Sequence, residues 1–138
     1  MERRPAHKRD PRHELGRAGE SLAAAHLRRC GFAIVARNQR TRHGEIDLIA
    51  FDGHTLVFAE VKTRRVPTRR LRMRGDAEPL LAALSWRQRA RLRRLSASWL
   101  AREGASVPFA QTIRFDAIGV AIDGTGKLQR LEHIPAAW

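Results

Sequence analysis

The stretch Gly44-Glu45-Ile46-Asp47-Leu48-Ile49-Ala50-Phe51-Asp52-Gly53-His54-Thr55-Leu56-Val57-Phe58-Ala59-Glu60-Val61-Lys62 decides how this chain is read. Two apolar runs flank a short polar turn, the pattern of a β-hairpin. The first run carries Asp47; the second carries Glu60 and Lys62. Side chains alternate along a strand, so Glu60 and Lys62 share a face with Leu56 and Phe58, and Asp47 shares one with Glu45, Ile49 and Phe51. The turn decides whether the two acids meet. A Gly53-His54 loop places glycine first, as a type II′ turn requires, and opposes Asp47 to Glu60. An Asp52-Gly53 type I′ turn makes the pair diagonal on one face. A three-residue loop sends the acids to opposite faces.

Two ionised carboxylates about 5 Å apart repel by roughly 3 kcal/mol at an effective dielectric of about 20. Left alone, one of them keeps its proton. A hard dication with oxygen ligands removes the conflict. Magnesium suits a site with few carboxylates and several waters, with manganese as a substitute. Lys62 lies one side chain further along, near the ion's waters. The competing reading is a lysine bridging two acids on an exposed sheet face.

The charge balance points the same way. The chain has 27 Lys and Arg against 14 Asp and Glu, a net charge of +13. Such an excess favours a polyanion, nucleic acid above all, through counterion release. Only Lys8, Lys62 and Lys127 are lysines; the other cations are arginines, a bias that explains Arg over Lys but not the surplus of cations. A compact ammonium retained at position 62 suits close approach to a water better than a planar guanidinium would.

The 138 residues suit one domain with one core. Cys30 is the single cysteine, which excludes an internal disulfide and fits a reducing, cytoplasmic setting. No apolar run approaches a membrane span. Met1-Glu2-Arg3-Arg4-Pro5 lacks the apolar region of a secretory signal. Residues 1–13 read as a disordered basic tail and 14–138 as the folded domain. Leu15, Ala18, Leu22 and Ala25 recur at helical spacing over 14–30, with Gly31 as the stop. Glu20 lies on the other side of that helix, among Gly16, Ala23, Ala24 and Leu27, small neighbours that permit close packing. Phe32 to Arg37 is a short strand, followed by 45–51 and 55–63. Residues 77–103 are mostly helical with a break near Ser85, and Ser85 with Gln88 fits a capping box. Strands 112–122 and 128–134 flank a Gly124–Gly126 turn. The order α-β-β-β-α-β-β predicts an α/β fold with a mixed sheet.

These stretches resemble the PD-(D/E)XK nuclease superfamily with its restriction-endonuclease-like αβββαβ core. More closely, they resemble the bacterial YraN (UPF0102) family, itself similar to archaeal Holliday junction resolvases. The matching segments are Leu15–Glu20, Gly44–Ile49, Phe58–Arg64, Arg114–Asp116 and His133-Ile134. The resemblance implies metal ligation by Asp47, Glu60, the Val61 carbonyl and Glu20. It gives Lys62 the water to position or activate, and matches Gln88 to a helix glutamine of some branches. Gln88 lies on the face of Leu92, Leu95 and Trp99; a glutamine satisfied by backbone is the plainer reading. Arg87 stands where the family pattern has lysine.

The implied activity is magnesium-dependent hydrolysis of phosphodiesters in structured or branched DNA. The alternatives are a silent nucleic-acid-binding protein that keeps the fold and a basic RNA-associated protein. Arg64, Arg65, Arg69, Arg70, Arg72, Arg74 and Arg87 are the candidate backbone contacts, and the likeness to resolvases suggests a homodimer. Arg114 and Asp116 share a face and read as a structural pair. Trp86 and Trp99 read as core, and His43 and His54 as incidental. The sequence shows no Cys or His clustering of the kind zinc requires.

Overall fold

The computed structural model describes residues 10–67, 80–81, 85–107 and 109–137. Helix α1 spans Pro11–Arg29. Asp10 caps it, its carboxylate accepting the Arg12 N–H at 3.0 Å, and Pro11 occupies the first turn, where its missing N–H costs nothing. The helix therefore starts three residues before the expected position 14. It stops as expected. Gly31 adopts φ +94°, its N–H and that of Phe32 reaching back to the Arg28 and Leu27 carbonyls.

Five strands follow as one sheet in the order β1 (Ala33–Thr41), β2 (Gly44–Phe51), β3 (Thr55–Arg65), β4 (Thr112–Ile122) and β5 (Leu128–Ile134). All neighbours are antiparallel except β3 and β4, which run parallel. A parallel pair needs a crossover, and α2 (Trp86–Glu103) lies within it. The αβββαβ order and mixed sheet match the expectation. Strand β1 runs on to Thr41, beyond the expected Arg37, because its polar second half pairs with the start of β2 through Thr41 and Gly44. The expected strands 45–51 and 55–63 each extend slightly, and 112–122 and 128–134 are found as read.

The two sheet faces are covered differently. Leu48, Ala50, Val57, Ala59, Ile118 and Val120 pack beneath Ala23, Ala24 and Leu27 of α1. Ile49, Leu56 and Phe58 point the other way, toward Leu92, Leu95 and Trp99 of α2. Trp99 is thus core, as read, and it meets Phe58 edge to face with ring centroids 5.9 Å apart. Helix α2 starts at a complete capping box. The Gln88 N–H donates to Ser85 Oγ, and the Ser85 N–H donates to Gln88 Oε1. The expected helical start at 77–84 lies outside the described residues, apart from a turn at Leu80 and Leu81, as do Arg69, Arg70, Arg72, Arg74 and the Trp86 side chain.

Candidate functional site

Gly53 has φ +98°, and the β2–β3 register opposes Ile49 to Phe58 and Leu48 to Ala59. This is the register of the Gly53-His54 turn. Asp52 secures it by accepting the His54 and Thr55 N–H groups at 2.9 and 2.7 Å. Asp47 and Glu60 would form the next pair, but the ladder ends at Leu48 and Ala59. There the Asp47 carboxylate enters the ladder instead, taking the Val61 N–H at 2.8 Å. Alternation also breaks at this point, because Ile46 packs with the α2-side cluster and Leu48 with the α1 side.

Three carboxylates meet at this break. Oxygens of Glu20, Glu45 and Asp47 lie within 4.8 Å of one another. Glu20 arrives from α1, which is seated close on β3: a Cβ added at Gly19 would stand 1.8 Å from Thr63 Oγ1. Asn38, opposite in β1, sits at φ +49°, a left-handed conformation asparagine tolerates, and its side chain hydrogen-bonds Glu20. Glu45 comes from the start of β2, two residues before Asp47.

The acids perturb one another. Burial first, then the charge of Glu60, pushes the Asp47 carboxyl from its ordinary 3.8 up to about 7; the Val61 N–H opposes the rise, while Glu20 and Glu45 add to it. Burial also raises Glu20, with Glu45 adding to the rise and Asn38, Arg37 and Arg17 holding it back. Glu60 stands beside this trio. Its Oε1 is 3.3 Å from Lys62 Nζ, and it lines a small cavity with Gln88, Arg91, Leu92 and Leu95. The Lys62 ammonium is itself half-exposed. Val61 thus enters by its N–H, and Gln88 borders Glu60 with its Oε1 engaged in the helix cap.

The set Glu20, Glu45 and Asp47 offers hard oxygen donors, and the proton retained on Asp47 is what a dication would displace. The donors fit magnesium or manganese. Sequence reasoning put Glu45 on the face of Asp47 but did not count it as a ligand. Arg91, which no motif singles out, places its guanidinium over Gly44, 2.5 Å from where a Cβ would stand.

The family model described as "Uncharacterised protein family UPF0102" matches residues 19–120, a span that contains all of these acids, Lys62 and Gln88. The chain belongs to the UPF0102 family. It is 45% identical over 115 residues to a UPF0102 protein of Streptomyces griseus, covering 83% of this chain and 88% of the relative. A UPF0102 protein of Frankia casuarinae is 44% identical over 125 residues, covering 90% and 95%. One from Geobacter sulfurreducens is 41% identical over 124 residues, covering 90% and 88%.

This UPF0102 chain carries a second polar cluster on the α1 side. Asp116 is fully buried in β4. Arg114 grips it with Nε and Nη2, both at 2.8 Å, and the Ala136 N–H adds a bond at 3.1 Å. The expected Arg114–Asp116 pair is therefore present. His133 Nε2 also reaches Asp116, at 2.7 Å. Burial alone would raise the Asp116 carboxyl, but His133, Arg114 and the Ala136 N–H together hold it below the ordinary carboxylate range. The same His133 brings His26 and Cys30 into one group with it. The sequence contains no Cys or His cluster; the fold makes one by docking β5 on the end of α1. Among the described residues, no helix is long and apolar enough to cross a membrane.

Proposed function

We propose that this UPF0102 protein is a cytoplasmic, magnesium-dependent endonuclease of PD-(D/E)XK type, acting on structured or branched DNA. The observation that carries the reading is the meeting of Glu20, Glu45 and Asp47 where β2 and β3 part, their oxygens within 4.8 Å of one another, with the Asp47 carboxyl pushed up to about 7 by burial and Glu60. Clustered acids that repel one another in a cationic chain need a reason, and a dication is a sufficient one. Glu20, Glu45 and Asp47 would hold it, with Glu60 and the Val61 backbone at the edge. Bound there, the ion would polarise the phosphodiester and ease attack by water.

The chain's own residues supply the rest. Lys62, anchored by Glu60, offers an ammonium to orient a water or to balance charge growing on phosphate. Arg64 and Arg65 continue the strand beyond Lys62, and Arg87 and Arg91 flank Gln88 on the helix facing Glu60. Arginines there would meet phosphates rather than bases, so selectivity would rest on DNA shape. The likeness to resolvases suggests a homodimer, in which two such sites would face one DNA. The silent-binder reading draws support from Gln88, whose Oε1 is spent on the helix cap.

The test is cleavage of branched, flapped, single-stranded and duplex DNA, and of RNA, with magnesium or manganese. Asp47→Asn, Glu60→Gln and Lys62→Ala should each lower cleavage by about 100-fold or more while leaving DNA binding within a few-fold. Manganese should raise the Tm of the unaltered chain and not that of Asp47→Asn. Binding without cleavage under every ion would favour the silent binder. Unchanged cleavage in all three variants would refute the site.

A further inference from the structure

The far end of α1 presents a different donor set. His26 and Cys30 are four residues apart, so the helix places them on one face, and His133 reaches them from β5. His26 Nε2 lies 3.0 Å from His133 Nδ1 and 3.6 Å from Cys30 Sγ. Atoms of all three that can ligate a metal lie within 4.8 Å of one another.

One proton arrangement satisfies the two histidines, but it leaves the Cys30 thiol outside the network. His133 Nε2 faces the buried Asp116 carboxylate at 2.7 Å and must carry its proton there. In the neutral ring, His133 Nδ1 is then a lone pair aimed at His26 Nε2. If His26 Nε2 holds a proton, it serves His133 but cannot accept from the Cys30 thiol. If it does not, two lone pairs face each other at 3.0 Å. One cation between the three atoms would engage all of them at once.

We infer that His26, Cys30 and His133 form a binding site for a divalent transition metal of the zinc class, distinct from the carboxylate site. Two imidazoles and one thiolate are a borderline-soft set that selects zinc over magnesium. Tetrahedral zinc, with bonds of about 2.0 Å to nitrogen and 2.3 Å to sulfur, separates two nitrogens by about 3.3 Å and a nitrogen from a sulfur by about 3.5 Å. The separations here, 3.0 and 3.6 Å, are close to those edges. The outer support is also present. Asp116 orients His133 through Nε2 and is itself fixed by Arg114 and the Ala136 N–H, the carboxylate–histidine–metal arrangement in which the outer acid sets tautomer and ring angle. Three protein ligands leave a fourth position for water, and Cys30 is exposed, so the ion has a path in. Once bound, it would pin the end of the first helix to the last strand.

Cobalt(II) titrated into the reduced, chelator-treated full chain tests this. Cys30 is the only cysteine, so a thiolate-to-cobalt charge-transfer band can arise from no other residue. The expected result is that band, saturating at one cobalt per chain, bleached by zinc, and retained in Asp47→Asn. Cys30→Ser, a change at an exposed helix end, should abolish the band, and both it and His26→Ala should weaken zinc binding by at least about tenfold. Saturating zinc should also slow alkylation of Cys30 in the unaltered chain. Absence of the band, its loss in Asp47→Asn, or alkylation indifferent to zinc would overturn the site.

Discussion

Asp47 carries the cost of being surrounded by its own charge. Its carboxyl is raised to about 7 in the folded chain from an ordinary 3.8. A carboxyl raised on folding binds its proton more tightly in the native state, so stability is fullest at low pH and declines as pH climbs from about 4 through 7. Asp47→Asn keeps an oxygen for the Val61 N–H and cannot ionise. Chelated and at pH 8, Asp47→Asn should be more stable than the unaltered chain by on the order of 2–4 kcal/mol, an advantage reduced to about a quarter at pH 4.5. Urea unfolding at the two pH values measures this, and a pH-independent difference would show that Asp47 is not the strained group. Asp116 behaves in the opposite sense. Its carboxyl is held below the ordinary range, so its contribution is present above about pH 4 and lost in acid. Asp116→Asn strands the partly buried Arg114 and should cost roughly 3 kcal/mol at neutral pH, read by the same unfolding experiment. The Gly53 turn and the nearness of Glu60 to Asp47 were legible in the sequence; strand parity was no guide here, because alternation breaks between Ile46 and Leu48 and Asp47 meets Glu20 of α1. Glu45 was half-legible, since i and i+2 share a face. Asn38 was not, because a left-handed residue inside a strand leaves no trace in hydropathy.

The two glycines of α1 separate packing from propensity. Gly19 abuts Thr63, while nothing lies within 4 Å of where a Cβ would stand on Gly16. Gly19→Ala should therefore cost about 1–3 kcal/mol by forcing the helix off β3, and Gly16→Ala should add about 0.5–1 kcal/mol of stability by helix propensity alone. Thermal unfolding of the pair checks the opposed signs. Equal signs would mean the helix does not sit as close as described. Gly19→Ala should also weaken manganese binding, since Glu20 is the next residue. The close packing read around Glu20 holds at Ala23, Ala24 and Leu27 but not at Gly16, and the closest approach is made by Gly19, which that reading did not name. Element edges followed the same logic. Asp10 and Pro11 signal a helix start but were absorbed into a charged tail, whereas Gly31, with nothing competing, marked the stop correctly.

Across the molecule, the surplus of 13 positive charges should make nucleic-acid affinity steeply salt-dependent. Log affinity should fall linearly with log salt, by about 0.9 per phosphate contacted. Arg65→Ala, at an exposed position past Lys62, should lower that slope by about one and weaken all duplex sequences alike. Filter binding or anisotropy over a salt series measures it, and a slope unmoved by the substitution would remove that arginine from the interface. Long-range contacts were the least legible. The parallel β3–β4 pairing and the docking of β5 bring His133 to His26, 107 residues away, and no local pattern encodes that meeting. Helix α1 links Glu20 at one acid cluster to His26 at the other donor set. Six residues separate them, a rise of about 9 Å and a turn of about 240°. Inserting one residue between them would swing either end by about 100° out of phase with the sheet. The length of that short segment is therefore as binding a specification as the identity of any ligand it carries.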